Sequence, residues 1–233
     1  MNYFIHPAEA RRQFAELVAG EITSENLARA SLLIALEEYP RLDVELSLRA
    51  LDELAERVLE RGSPDDPPIF RLGHLHAEMF DVDGYMGNTE AYYDPRNAYL
   101  NEVIDRKVGI PISLSLVFLH VAWRAGLQAF GVGLPGHYLV KVQFELNEVY
   151  VDPFHGGTTL TVPEIAELLS QISGGRVRLA SEHLRSWSGR ETLIRVLANL
   201  EGMWSRMGEP RKAASARERM EMLQAGSLES SSS

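Results

Sequence analysis

The sequence predicts an α+β fold in which one buried helix packs against a small antiparallel sheet. Apolar residues recur at helical spacing through the first sixty residues. Residues 111–125 are apolar on nearly every face, which is typical of a helix enclosed by other structure. Three short β-type runs follow at 129–134, 138–144 and 149–152, and turn residues separate them. Helices first and strands afterwards favour an α+β arrangement.

The sequence divides the chain into four predicted segments. The predicted segments are a helical N-terminal part at 1–68, a core at 69–185, a C-terminal helical hairpin at 186–225 and a disordered, serine-rich tail at 226–233. The hairpin turns around Gly208, Glu209 and Pro210. Within the core, Asp94 is expected to cap a helix whose first residue is Pro95.

Composition excludes several classes of function. The chain has 233 residues, a formal net charge of -10 and no cysteine. The missing cysteine excludes disulfides, Cys-based zinc sites and a thiol nucleophile. The acidic balance disfavours nucleic acid and anionic membranes as partners. The first residues do not show the basic stretch followed by an apolar stretch that is typical of a secretory signal. The longest apolar run, 110–127, is too polar to span a bilayer, so we expect a cytoplasmic protein.

A candidate site lies where the predicted central helix begins. The N-terminus of a helix stabilises an anion, and a histidine on a neighbouring strand can serve as a base there. His137 opens one predicted strand and Asp152 closes the next. If these strands pair as a hairpin, the two side chains meet at one end of the sheet.

Long segments of the chain resemble the SirB-one family of bacterial proteins, which belongs to the transglutaminase-like superfamily. The similar segments are YYDPRNAYLNEVIDRKVGIPISLSLVFL, GVGLPGHYLVKV and YVDPFHGG, and the likeness covers most of 32–223. The resemblance implies a transglutaminase-like (papain-like) core followed by a tetratricopeptide-like C-terminal region. The hairpin is short for an array of such repeats, so we expect it to pack on the core.

The same resemblance assigns roles to individual residues. His137 matches the superfamily's catalytic histidine and Asp152 its aspartate. The position of the catalytic cysteine falls at 111–113, where this chain has Pro111, Ile112 and Ser113. Cysteine-dependent catalysis is therefore excluded, whereas a serine variant remains open.

Each candidate residue also has a structural interpretation. Ser113 is a candidate nucleophile, but a serine there more often caps its helix. His137 and Asp152 are either a general base with its orienting carboxylate or a hydrogen-bonded pair that fixes a turn. Asn97 and Asn101 are candidate amide donors, although such residues more often tie down a loop.

Further residues concern binding and metals. Tyr93 and Arg96, with Tyr92, are candidates to line a groove, and Pro111 is a candidate contact at the start of the helix. Four histidines invite a metal interpretation, but their spacing is weak evidence and we expect no metal and no cofactor. They are His74, His76, His155 and His183.

Two functions follow from these observations. The leading hypothesis is a non-catalytic transglutaminase-like protein that binds a protein or peptide partner. The alternative is a serine-dependent hydrolase or acyltransferase that uses Ser113, His137 and Asp152. A third reading, a structural partner of the translation or invasion machinery, rests on family analogy alone. The sequence leaves the oligomeric state open.

Overall fold

The computed structural model describes residues 4–63 and 65–230, with side chains described up to residue 225. Helices occupy most of the described chain. They are α1 (Pro7–Val18), α2 (Leu27–Leu36), α3 (Val44–Glu60), α4 (Pro68–His76), α5 (Leu100–Arg106), α6 (Pro111–Arg124), α7 (Val162–Ser173), α8 (Gly189–Arg206) and α9 (Pro210–Ser230). A π-helical turn (Ala77–Val82) extends α4, and short 3-10 turns lie at Pro95–Asn97, Pro153–His155 and Ser181–Leu184.

Strands form two small sheets. They are β1 (Met86–Gly87), β2 (Val108–Gly109), β3 (Gln128–Leu134), β4 (His137–Gln143), β5 (Glu148–Asp152) and β6 (Thr158–Leu160). β1 and β2 form a short parallel pair, and the other four form an antiparallel sheet in the order β3-β4-β5-β6. The predicted α+β class is confirmed, and the predicted strands correspond to β3, β4 and β5.

The central helix α6 organises the core. Pro111 occupies its first turn, where its missing N–H costs nothing, and every residue from Pro111 to Ala122 is buried. The helix packs against β3 and β4 on one side and against α2, α3, α5 and α8 on others. Its apolar residues face all directions because other elements surround it, as the sequence predicts.

The opposite face of the sheet has its own apolar cluster. Val132, Leu134, Leu139 and Tyr150 project from the strands and meet Ile165 of α7. A Thr161 cap begins α7: the Glu164 carboxylate accepts from the backbone N–H of Thr161 at 2.7 Å. The sheet is therefore covered on both faces, which fixes its register.

The terminal helices share the main core. Phe14 of α1, Leu51 of α3 and Leu197 of α8 belong to one buried cluster with α6. α9 packs along α8 and also meets α1, and α8 meets α6. One continuous core joins residues of the predicted N-terminal part, core and C-terminal hairpin. The boundaries between these segments remain a prediction. The tail predicted to be disordered, 226–233, lies beyond the described side chains, and 231–233 lie outside the described residues altogether.

The free edge of β3 is partly covered by the segment before α8. The backbone N–H of Trp187 donates to the carbonyl oxygen of Gly131 at 2.8 Å. The Trp187 ring lies over Gly133, where an added Cβ would stand 2.0 Å from the ring. This contact blunts an otherwise exposed edge strand.

Within the described residues, none of the helices has both the length and the apolar character that a membrane crossing requires.

Candidate functional site

His137 and Asp152 meet at one end of the main sheet. The first residue of β4 and the last of β5 lie at the same end of the sheet because these strands are antiparallel neighbours. His137 Nε2 lies 2.8 Å from Asp152 Oδ2. The His137 side chain is 4% exposed and the Asp152 side chain is 1% exposed. An ionised carboxylate only accepts, so Nε2 carries the proton in this contact, and Nδ1 is the ring nitrogen that does not contact Asp152.

The Asp152 carboxylate is held by more than His137. Its Oδ1 accepts from the backbone N–H groups of Phe154 at 3.0 Å and His155 at 3.3 Å. Its Oδ2 also contacts His155 Nδ1 at 2.7 Å. Burial on its own raises the pKa of Asp152, but the hydrogen bonds from His137 and His155 outweigh it and hold the pKa well below its usual range. Asp152 is therefore a charged carboxylate with four donors around it.

His155 is the third member of this cluster, although its sequence context indicates no more than a weak metal candidate. Its ring stacks on that of His137 with centroids 5.6 Å apart, and its side chain is about half exposed. The hydrogen bond to Asp152 raises the pKa of His155. Donor atoms of the three residues lie within 4.8 Å of one another, which is compatible with a metal ion. A metal would have to replace the two protons that now join both rings to Asp152.

Ser113 lies in the first turn of α6, and its hydroxyl forms hydrogen bonds with nearby backbone groups. Ser113 is fully buried. Its Oγ accepts from the backbone N–H of Ile110 at 3.1 Å and donates to the carbonyl oxygen of Asn97 at 2.5 Å, with Ile110 O at 3.1 Å. These are the contacts of a helix cap that also anchors the preceding loop.

A pocket of about 520 Å³ opens beside His137. The start of α6, the β3–β4 turn, the loop before α5 and one face of α8 line it. Tyr93 and Pro111, both expected at a binding surface, are among its lining residues. This volume lies within the range of ligand-binding pockets. Among the described residues that line the pocket, His137 is the one whose side chain can exchange a proton with a bound molecule near neutral pH.

Asn97 and Arg96, also expected at a binding surface, have other contacts. The Asn97 amide donates to the carbonyl oxygen of Ala91 at 2.7 Å and accepts from Asn88 at 3.1 Å. Arg96 pairs at the surface with Asp94 at 2.6 Å. Asn97 thus ties down the loop that carries Tyr93, and the Asp94 cap begins a 3-10 turn instead of an α-helix.

Asn101, the other candidate amide donor, is buried in α5. Its Oδ1 has no hydrogen-bond partner among the described residues.

Two polar residues that α8 contributes to the pocket, Arg195 and Asn199, were not predicted from the sequence. Both lie on the face of α8 that is turned toward the pocket. Helical periodicity identifies α8 but does not say which distant element its polar positions meet, so no signal in the sequence separates these residues from solvated ones.

A larger cavity of about 1140 Å³ lies between the α1–α2 loop, the α6–β3 turn and Trp187. Among its described lining residues there is no histidine. We take the smaller pocket as the candidate site because it contains His137.

Comparison with known proteins identifies the family. The sequence profile of the transglutaminase-like superfamily matches residues 45–198. The chain is 34% identical over 201 residues to a UPF0162 protein of Xylella fastidiosa (strain 9a5c), covering 83% of this chain and 70% of that protein. It is 33% identical over 186 residues to a UPF0162 protein of Pseudomonas aeruginosa, covering 79% and 67% of the two chains. A shorter match, 29% identical over 154 residues, covers 55% of this chain and 25% of F-box only protein 21 of Mus musculus. No solved structure matches. The chain therefore belongs to the transglutaminase-like superfamily and, within it, to the UPF0162 proteins.

Proposed function

We propose that this chain is a non-catalytic transglutaminase-like protein whose pocket beside His137 holds a segment of a protein partner. The observation that carries the proposal is the start of α6, where the sequence has no thiol and the Ser113 hydroxyl is bonded to backbone carbonyls. A serine nucleophile must donate its proton to a base. Here that proton goes to the Asn97 carbonyl oxygen.

The pocket itself supports binding of a peptide. Its walls combine apolar and aromatic surface, from Ile110, Ile112 and Tyr92, with a few polar groups that fix orientation. Tyr93 is 54% exposed at its rim, and the Arg206 guanidinium stacks over that ring at 4.2 Å. An aromatic rim beside a preformed pocket is typical of surfaces that anchor a protein segment.

The comparisons add support of a weaker kind. The matched region makes up a quarter of the mouse protein named F-box only protein 21. A similar region thus occurs inside a much longer protein, which is consistent with a module that is reused among different neighbours. Membership of the SirB-one family, a tetratricopeptide-like character of α8 and α9 and a cytoplasmic location remain predictions.

The alternative function is a serine-dependent hydrolase or acyltransferase. It is favoured by the His137–Asp152 pair, which has the geometry of a base and its orienting carboxylate. It requires the Ser113 side chain to leave the helix cap and reach Nδ1 of His137. Labelling of folded protein by a serine-directed phosphonate at Ser113, lost in Ser113→Ala, would establish this alternative.

The binding proposal can be tested by NMR on isoleucine methyl groups. Ile112 and Ile172 line the pocket, and Ile5 reports on a different part of the fold. A pool of short random peptides should shift the Ile112 and Ile172 signals and leave the Ile5 signal in place. If no peptide pool moves the two pocket signals, the pocket does not hold protein segments and the proposal fails.

A pair of variants makes the test specific. Asn199→Trp fills the pocket from α8, whereas Ala198→Trp adds the same ring at an exposed neighbouring position. The peptide-induced shifts should disappear in the first variant and persist in the second. Shifts that persist in both would locate the peptide elsewhere and contradict the proposal.

A further inference from the structure

Arg195 is a partly buried cation without an acidic partner among the described residues. It lies on α8 beneath the β3–β4 turn, where its Nη2 donates to the carbonyl oxygen of Leu134 at 3.0 Å, with His137 O at 3.5 Å. Nε and Nη1 form no hydrogen bond with any described residue, and no described carboxylate pairs with the guanidinium. One nitrogen of Arg195 thus braces the turn that carries His137, and the other two remain available.

The available nitrogens are accessible to a ligand. Arg195 lines the pocket beside His137, and neither Nε nor Nη1 is sealed off from solvent. Burial lowers the pKa of Arg195, but a guanidinium still carries its charge at neutral pH. A partly desolvated cation with no counter-ion is unfavourable, and this cost falls when an anion enters.

Charge complementarity defines the chemistry of the ligand. The chain has a net charge of -10, yet no Asp or Glu is among the described residues that line this pocket. The positive charge of Arg195 is set among Ile110, Ile172 and the amide of Asn199. The free Nε–H and Nη1–H groups lie on two different edges of the planar guanidinium, and a carboxylate oxygen can accept a charge-assisted hydrogen bond at either edge. A doubly charged phosphate would need more cations than this pocket contains.

We propose that the protein segment bound in this pocket presents a carboxylate to the guanidinium of Arg195, along one of the two edges that carry the free Nε–H and Nη1–H groups. The proposal rests on the proposed function and adds the chemical class of the segment, an acidic side chain or a free C-terminus. Because Arg195 also braces the carbonyl oxygen of His137, the carboxylate binds next to the histidine and the segment runs past it along the start of α6.

The test uses the full chain and three peptide probes followed by NMR. The probes are N-acetyl-alanyl-glutamyl-alanine amide, its glutaminyl counterpart and N-acetyl-trialanine with a free carboxylate. The Arg195 Nε–Hε signal and the Ile112 methyl signal are recorded during each titration. We expect one or both carboxylate probes to shift both signals, and the glutaminyl probe to bind about tenfold or more weakly. The more effective of the two carboxylate probes identifies the source as a side chain or a C-terminus.

Variants supply an independent readout. Arg195→Met should weaken binding of the effective carboxylate probe by about tenfold or more and leave the glutaminyl probe unchanged. The matched control is Arg190→Met on the same helix, because Arg190 also donates to backbone carbonyls, those of Val18, Gly20 and Leu223. If Arg195→Met does not fold, the wild-type comparison of glutamyl and glutaminyl probes still decides the question.

The possible failures are distinguishable. Equal binding of the glutamyl and glutaminyl probes, with a shifted Ile112 methyl, would overturn the role of Arg195 and leave the pocket as a peptide site. A random peptide pool that leaves the pocket methyl signals unmoved would overturn the proposed function and this inference together.

Discussion

Removal of the Asp152 carboxylate is the perturbation that tests the site most sharply, because four donors converge on this group. His137 Nε2 and His155 Nδ1 bond to Oδ2, and the backbone N–H groups of Phe154 and His155 bond to Oδ1. In Asp152→Ala all four lose their acceptor. Water reaches the half-exposed His155 ring, so the cost falls on the buried His137 ring and the part-buried N–H of Phe154.

The size of the effect follows from these contacts. A buried donor without an acceptor costs about 1–3 kcal/mol, so Asp152→Ala should lower the free energy of unfolding by about 2–4 kcal/mol. Asp152→Asn is the matched variant. Its carbonyl oxygen still accepts from the backbone, and its amide donates to His137 once the ring proton moves to Nδ1, so its cost should be about 1 kcal/mol.

Urea denaturation at neutral pH measures both variants, with the slope against urea checked for constancy. The reasoning is refuted if Asp152→Ala costs less than about 1 kcal/mol, or if the two variants are equally destabilised. Either result would mean that the carboxylate does not hold this end of the sheet together.

Three further predictions concern other features of the fold. The pKa of His155 is raised above its usual 6.5 and that of Asp152 is lowered from 3.8. The ion pair should therefore stabilise the fold fully at a pH above the usual pKa of Asp152 and below the usual pKa of His155. This stabilisation should be lost as the pH rises through the raised pKa of His155. The difference in unfolding free energy between wild type and His155→Ala, measured across pH, checks the prediction. Gly133→Ala should cost about 1–3 kcal/mol because its Cβ would overlap the Trp187 ring, and tryptophan fluorescence should report the displaced ring during urea unfolding. Ser113→Ala should cost about 1–2 kcal/mol by loss of the helix cap and leave peptide binding to the pocket intact, as denaturation and methyl NMR would record.

Each of these has a contradicting outcome. A pH-independent effect of His155→Ala would exclude the charged pair. Gly73 lies exposed in α4 with open space around its Cβ position, so Gly73→Ala should stabilise the protein by up to about 1 kcal/mol. If Gly133→Ala does not lower the free energy of unfolding relative to Gly73→Ala, the tight contact with the Trp187 ring is ruled out. A Ser113→Ala variant that abolished peptide binding would place the Ser113 hydroxyl in the pocket.

The elements that position the site were predictable from the sequence. The apolar residues on nearly every face of α6 identify a helix buried on all sides, and the short β-type runs between turn residues identify β3, β4 and β5. Antiparallel pairing then brings His137 and Asp152 to one end. β6 was not predicted, because its three residues, Thr158–Leu160, are too few and too polar to show a strand pattern.

Features that depend on tertiary packing were beyond the sequence. His155 reaches Asp152 because a 3-10 turn at Pro153–His155 curls the chain back on itself, and no periodicity encodes that turn. Arg195 enters the pocket only because α8 packs beside the β3–β4 turn, almost sixty positions away along the chain. The hydrogen bond of the Ser113 hydroxyl could not be predicted, because its acceptor is the carbonyl oxygen of Asn97, whose position depends on the fold of the preceding loop.

The most direct test of the proposed non-catalytic site is to measure the turnover of a broad panel of esters and peptide amides by wild type and by His137→Ala. Our account predicts that both proteins release product at the rate of buffer alone. Turnover by the wild type that disappears in His137→Ala would contradict the non-catalytic account and establish an enzyme that uses this histidine.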